Sequence, residues 1–300
     1  MIMEEHERPL TGGKFAFVTL LNISITVVEI IGGLLAGSLA LITDAIHNFG
    51  DSLSIVLSYS AQRIGQRDQD ERATFGYHRV EILTAFVNSL VLILISVVLV
   101  WEGIQRLLHQ QAINGSVMFW TALVSFCFNM GSAVLMHADS RGSLNIKATY
   151  LHLLADALAS IAVIIGSLMV MAFHIYWIDA VLTIAVSLYI IYETVGVVKQ
   201  TSKILLQNAP LLDYDAIIEA MTQVPGVVDV HHLHAWMEDE KDIIFSAHVN
   251  ITPDAIEDIE WITAQETQLL QQRFNICHVT VQIEIKRGLN SARFAKHEML

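Results

Sequence analysis

A repeated pattern of histidine and aspartate is the part of the sequence best suited to chemistry. His47 precedes Asp51 by four residues, and His152 precedes Asp156 by the same spacing. On a helix, this spacing places both side chains of a pair on one face. If the two pairs converge, two imidazoles and two carboxylates form a ligand set suited to tetrahedral Zn²⁺. One such pair is equally well explained by an internal hydrogen bond, whereas two identical pairs favour a metal site.

Both pairs lie in long apolar stretches, which are typical of a membrane protein. The 300 residues are 54% apolar and only 16% charged, which excludes a soluble enzyme of ordinary composition. A membrane-spanning helix needs roughly 20 apolar residues. Six windows in the first 204 residues are this long: about 15–36, 39–61, 80–107, 116–137, 148–173 and 177–200. Charged residues inside such spans are costly, so the pairs in the second and fifth spans are functional candidates.

The cationic residues between the spans predict the orientation in the membrane. Arg106 alone lies on one side, whereas ten cations lie on the other: Arg8, Lys14, Arg63, Arg67, Arg72, Arg79, Arg141, Lys147, Lys199 and Lys203. By the positive-inside rule, both termini face the cytoplasm. The first thirteen residues lack a basic region and an evident cleavage site, which predicts that the first span is retained.

The last third of the chain predicts a soluble α+β domain. Residues 205–300 carry a net charge of −9, against −4 for residues 1–204, and we take these ranges as the cytosolic and transmembrane domains. The order of predicted elements is α-β-β-α-β: a helix at 213–223, strands at 227–237 and 242–251, a helix after Pro253 and a strand at 278–285. The acidic balance argues against a nucleic-acid partner. Cys127 and Cys277 do not resemble a disulfide framework.

Several longer motifs together resemble the cation diffusion facilitator family, in particular its zinc-transporting branch. They are SLALITDAIHNFGD, TFGYHRVE, NIKATYLHLLADALAS, VDVHHLHAW, AHV and HVTVQIE. The resemblance implies six transmembrane helices, a cytosolic ferredoxin-like domain and a homodimer. It assigns the transport site to His47, Asp51, His152 and Asp156, and His47 places the chain with zinc-preferring relatives. Asp44, one turn before His47, is predicted either to orient that imidazole or to lie near the outer interface.

The resemblance also implies a regulatory zinc site in the cytosolic domain. Matching ligand positions are His231, His248 and Glu284, while Gln282 replaces a histidine found in some relatives. An amide is a poor zinc ligand, so a full binuclear site is not expected. Strand alternation predicts that His231 faces away from the pair His232 and His234. Nearby alternatives are His232, His234, Cys277 and His278, and hydrogen bonding within the sheet or dimer seam would also explain these imidazoles.

Two further family features are expected to differ. A loop zinc site of some relatives would use Asp70, but Ala73 and Tyr77 occupy the histidine positions. An ion pair from Arg79 to the end of the sixth span is in doubt, because Gln207 and Asn208 stand where an acid is needed.

The sequence therefore predicts proton-coupled export of Zn²⁺ by an integral, multi-pass protein of a bacterial inner membrane. Its partners are zinc ions, protons, membrane lipid and a second copy of the chain. The alternatives are a membrane metal sensor that does not transport, or a transporter that prefers Cd²⁺, Co²⁺ or Mn²⁺. An enzyme is not expected, because no His-Glu-x-x-His, P-loop or nucleophile motif is present.

Overall fold

Six long helices precede a small α+β region in the computed structural model. It describes residues 12–137, 144–289 and 292–294, so the predictions for the N-terminal segment, Arg8, Arg141 and the connection at 138–143 lie outside the described residues. The helices are α1 (Gly12–Ala36), α2 (Leu39–Gly65), α3 (Arg79–Leu108), α4 (Gly115–His137), α5 (Leu144–Phe173) and α6 (Trp177–Leu205). The prediction of six long helices is confirmed, with most ends within about three residues.

The chain divides into two compact units. The first contains α1, α2 to Ser60, α3 from Ala85, α4, α5 and α6 to Val198. The second contains residues 61–84 and the chain from Lys199 onward.

The first unit is apolar outside and carries polar residues within. Helices α3, α4 and α6, with Thr149–Phe173 of α5, are long and apolar enough to cross a membrane, and Leu20–Ala36 forms a shorter apolar helix. Many large apolar side chains are exposed, as expected where lipid surrounds the helices. Helix α4 packs against both α1 and α5.

The turn between α1 and α2 fixes where α2 begins. Gly37 has a φ of +69°, which glycine adopts without strain, and its carbonyl accepts a hydrogen bond from Arg106 Nη1 at 2.6 Å. The buried carboxylate of Asp179 on α6 accepts hydrogen bonds from Ser38 Oγ at 2.5 Å and Leu39 N at 2.8 Å. This carboxylate satisfies otherwise free N–H groups at the α2 N-terminus. The turn thereby sets the position of His47 along α2.

The second unit has the predicted α-β-β-α-β order. Its elements after α6 are α7 (Tyr214–Thr222), β1 (Val227–Met237), β2 (Ile243–Ile251), a 3₁₀ helix at Pro253–Asp258, α8 (Ile259–Phe274) and β3 (His278–Glu284). Strands β1 and β2 are antiparallel, and β3 is parallel to β2, in the order β1-β2-β3. The core between sheet and helices includes Ile217, Leu233, Phe245, Ile262 and Leu270.

A bulge interrupts β1 at its histidines. His231 pairs with His248 on β2, but the register shifts between His231 and His234, and His232 has a φ of +53°. His231 and His232 therefore both bring their rings against His248, with centroids 5.6 and 4.5 Å away. The prediction from strict alternation, that His231 faces away from His232, is wrong because the bulge adds a residue to one strand.

Candidate metal centres

The first candidate centre lies between α2 and α5 in the first unit. One ligand atom each from His47, His152 and Asp156 lies within 4.8 Å of the others. Edges of a zinc tetrahedron with bonds near 2.1 Å are about 3.4 Å long. A small inward movement of these side chains would therefore suffice to hold one ion.

Asp51 lies beside the two histidines of this cluster. Its Oδ2 is 2.9 Å from His152 Nε2 and 3.7 Å from His47 Nε2. On α5, His152 Nε2 is also 3.6 Å from Asp156 Oδ2. The structure thus brings all four predicted residues together. Asp51 contacts both histidines, but it is not one of the three residues whose ligand atoms all lie within 4.8 Å of one another.

Asp44 does not orient His47. Nδ1 of His47 is buried and has no hydrogen-bond partner among the described residues, so none of their carboxylates holds this nitrogen. Asp44 is buried in the second turn of α2. The structure does not support the orienting role, and the alternative position of Asp44 near the outer interface stays a prediction.

The second candidate centre lies on the sheet of the second unit. Ligand atoms of His231, His248 and Glu284 lie within 4.8 Å of one another. Glu284 Oε1 is 3.0 Å from His248 Nδ1, and Oε2 is 3.5 Å from His231 Nε2. Strand register produces this cluster, because His231 pairs with His248 and Glu284 follows on the next strand.

Neighbouring groups prepare this second cluster for a metal. Asp229 Oδ2 lies 3.0 Å from His231 Nδ1, which orients the ring and leaves Nε2 toward Glu284. Burial lowers the pKa of His248, although Glu284 acts in the opposite direction, so the neutral imidazole that binds metals is favoured. Gly288, at a φ of +65°, passes so close to His231 that an added Cβ would clash with the His231 Nε2 atom.

The alternative tail ligands divide into two groups. His232 joins the cluster through its ring contact with His248. Gln282 donates a hydrogen bond to Glu284 Oε1 at 2.7 Å. Cys277 and His278 lie at the other end of β3, about 20 Å from Glu284 along the strand.

Residues of the connection between α2 and α3 form hydrogen bonds with one another in the second unit. Asp70 Oδ1 accepts from the amides of Arg72 and Ala73, and Oδ2 accepts from the Tyr77 hydroxyl at 2.8 Å. The Tyr77 hydroxyl, followed by these amides, holds the pKa of Asp70 below its ordinary value. Asp70 therefore serves to shape the loop.

Arg79 has an acidic partner that the sequence analysis did not identify. Its Nε lies 3.8 Å from Glu238 Oε1, just after β1. The Phe75 ring contacts the His278 ring, with centroids 5.7 Å apart.

Comparison with known proteins agrees with a membrane metal transporter built from these two parts. Residues 16–206 match the family model described as the cation efflux transmembrane domain, and residues 209–286 match the cation efflux protein cytoplasmic domain. The chain belongs to the cation efflux family. The sequence resemblance and the predicted fold class, a helical transmembrane domain with a C-terminal cytosolic α+β domain, are thereby confirmed.

Several relatives cover most of the chain. The zinc transporter ZitB of Escherichia coli is 34% identical over 260 residues, 86% of this chain and 82% of that protein. A cadmium, cobalt and zinc/H(+)-K(+) antiporter of Bacillus velezensis is 30% identical over 287 residues, 93% of this chain and 91% of that protein. The metal-bound C-terminal domain of the CzcD transporter from Cupriavidus metallidurans is 27% identical, with a TM-score of 0.23, and covers 25% of this chain and all of that domain.

Proposed function

We propose that this protein exports zinc from the cytoplasm in exchange for protons, through a site formed by His47, Asp51, His152 and Asp156. The observation that carries the proposal is the convergence of ligand atoms from α2 and α5 inside an apolar helical unit. Charged and imidazole groups at such a place are expensive and mark an ion pathway.

The contact between His152 and Asp51 suggests how protons and zinc compete. At 2.9 Å, a proton on His152 Nε2 is shared with Asp51 Oδ2. Zinc needs the same nitrogen lone pair in its neutral form, so binding requires this proton to leave. The return of protons in the outward-facing state would then release zinc, and no covalent step is needed.

The relatives support a divalent metal ion as the substrate but do not single out one metal. One is named a zinc transporter and another a cadmium, cobalt and zinc antiporter, so Cd²⁺ and Co²⁺ are rival substrates. We further propose domain limits of 1–204 and 205–300, a homodimer, and cytoplasmic termini in a bacterial inner membrane. The cation bias of the loops supports this orientation.

The experiment that separates a transporter from a metal sensor compares binding with uptake. The purified full chain is reconstituted in sealed vesicles, and zinc entry is followed with a trapped fluorescent indicator. We expect zinc accumulation in protein-containing vesicles and none in protein-free vesicles. Stoichiometric zinc binding in detergent without uptake would support the sensor instead.

His47→Asp is expected to broaden metal selectivity. Imidazole suits Zn²⁺, whereas carboxylate-rich sites suit Mn²⁺ and similar hard cations. Mn²⁺ should therefore inhibit zinc uptake roughly tenfold more strongly in the variant than in the wild type. Identical competition curves would show that selectivity is determined outside this ligand.

We also propose that the cytosolic cluster binds a regulatory zinc ion through His231, His248 and Glu284. The fragment 205–300 contains its own apolar core and is expected to fold alone. It should bind zinc and dimerise more tightly with it, because the ion reduces repulsion in a domain of net charge −9.

This second site is tested by calorimetry and sedimentation on the fragment. His248→Ala should weaken zinc binding by at least about tenfold. The matched control is His278→Ala, which removes an imidazole from the opposite end of β3 and should bind zinc normally. No zinc binding by the wild-type fragment would leave the domain as a dimerisation module.

A further inference from the structure

A buried carboxylate joins the first turn of α6 to the first turn of α2. Asp179 is 0% exposed, and its Oδ1 accepts hydrogen bonds from Ser38 Oγ at 2.5 Å and from Ala40 N at 3.3 Å. Its Oδ2 accepts one from Leu39 N at 2.8 Å, and Ser38 Oγ accepts one from Leu41 N at 3.3 Å. The carboxylate and the hydroxyl thus satisfy three of the amides that a helix leaves free at its N-terminus.

The negative charge of Asp179 has two sources of compensation. Arg106 on α3 places Nη1 3.9 Å from Asp179 Oδ2 and donates from the same nitrogen to the Gly37 carbonyl oxygen. The N-terminus of α2 adds a partial positive charge. Breaking one contact in such a buried network leaves other polar groups without partners, which is costly. The start of α2 is therefore held firmly against α6.

The same part of α6 packs closely against α5. A Cβ added at Gly166 on α5 would clash with Leu182 Cδ1, and Ile178 borders the same glycine. Ile178 and Leu182 also pack against an apolar cluster that contains Leu41 of α2 and Val170 of α5. The first two turns of α6 thus contact both helices that carry the candidate transport site.

These contacts lie at similar distances from the two His-Asp pairs. Leu39 precedes His47 by eight residues on α2, and Gly166 follows Asp156 by ten on α5. At 1.5 Å per residue, these separations are about 12 and 15 Å along the two helices. Both intervals run from the candidate site to the first two turns of α6, so these turns determine how α2 and α5 are placed relative to each other.

We propose that Asp179 is a positioning residue for zinc transport, which holds the start of α2 on α6 and thereby keeps His47 and Asp51 level with His152 and Asp156. This inference rests on the proposed zinc transport and adds to it a residue that does not touch the ion. Without the carboxylate, the first turn of α2 is free to fray and shift, and the ligand atoms of α2 then no longer meet those of α5.

The test measures initial rates of zinc uptake against zinc concentration in vesicles that contain the full chain. Asp179→Asn keeps the side-chain volume but replaces one oxygen with an NH₂ group, which cannot accept the hydrogen bonds made there. KM for zinc should rise roughly tenfold, the lower end of the range for loss of a group that orients metal ligands. The maximal rate per inserted protein should stay near that of the wild type. Ser38→Ala removes only the hydroxyl contacts and should raise KM less.

Two further variants separate positioning from a general loss of stability. Thr183→Val is the matched control, because it removes an equally buried hydroxyl from α6 that donates to the carbonyl oxygen of Asp179, and it should keep the wild-type KM. Ser38→Asp combined with Asp179→Ser moves the carboxylate to the N-cap of α2, where aspartate is favoured, and restores a hydrogen bond between the helices. This exchanged pair should recover most of the lost affinity.

Each outcome decides between distinct claims. A wild-type KM in a folded Asp179→Asn protein would overturn this inference and leave the proposed function intact, and if that variant fails to insert, an unchanged KM in Ser38→Ala would do the same. An equal rise of KM in Thr183→Val, or no recovery in the exchanged pair, would also overturn it, because the hydrogen bonds to α2 would then not be the cause. No zinc uptake by the wild type would contradict the proposed function itself.

Discussion

Asp156→Ala is expected to abolish zinc uptake while the protein remains inserted and dimeric. Asp156 is the nearly buried carboxylate of α5, and it supplies one of the three ligand atoms that lie within 4.8 Å of one another. Loss of an orienting neighbour typically costs 10- to 100-fold in metal affinity or activity, so loss of a ligand should cost at least about 100-fold. Uptake by reconstituted protein measures this directly.

The small size of alanine makes a folding control necessary. Asp156→Asn preserves the side-chain volume and should also lose uptake, because an amide cannot supply the negative charge. Glu102→Ala removes a half-exposed carboxylate from the same unit and should transport normally. Near wild-type uptake by a well-folded Asp156→Ala protein would overturn the four-ligand assignment.

The second large effect concerns the stability of the cytosolic domain. Glu266 lies on the core face of α8 between Ile262 and Leu270, and both of its carboxyl oxygens are buried without a partner among the described residues. Burial raises the pKa of Glu266 to about 8. The folded domain therefore holds a proton that the unfolded chain releases above about pH 4.3.

The sign of the pH dependence follows from this difference. Between about pH 4.5 and 8 the folded state binds more protons, so stability falls as pH rises through this window. We expect the fragment 205–300 to lose about 3 kcal/mol from pH 5 to 7.5 through this group, a fall in Tm on the order of 10 °C.

Two variants of α8 isolate this effect in thermal melts across pH. Glu266→Gln cannot ionise, so its Tm should vary much less with pH and exceed that of the wild type at pH 8. Glu260→Gln alters an exposed glutamate of the same helix and should behave as the wild type does. A pH profile unchanged by Glu266→Gln would mean that the Glu266 carboxyl finds a partner in the folded domain.

Local patterns in the sequence were sufficient to predict the helices and strands. Apolar runs predict six long helices because a membrane span has a fixed minimum length. The bounds of β1 were predicted as observed, since a turn at Pro225-Gly226 precedes it and the acidic segment 238–241 follows it. The four-residue spacing placed the two members of each His-Asp pair on one helix face, and the structure brings His47 and His152 together.

Features that depend on distant partners could not be predicted in this way. Nothing near Glu29 in sequence indicates Asn48 or Ser125, and nothing near Arg79 indicates Glu238, because these contacts join separate elements. The bulge at His232 depends on pairing with β2. Glu266 differs, since its position four residues from both Ile262 and Leu270 is a sequence signal of a core-facing carboxyl.

The measurement that tests the central claim most directly is zinc flux against a controlled proton gradient. Vesicles that contain the full chain are loaded at pH 6 and diluted into zinc at pH 7.5, with lumenal zinc and pH recorded together. We predict zinc uptake several-fold faster than in vesicles at equal pH, accompanied by a rise in lumenal pH that Asp156→Ala abolishes. Zinc uptake that is independent of the gradient and moves no protons would contradict proton-coupled export.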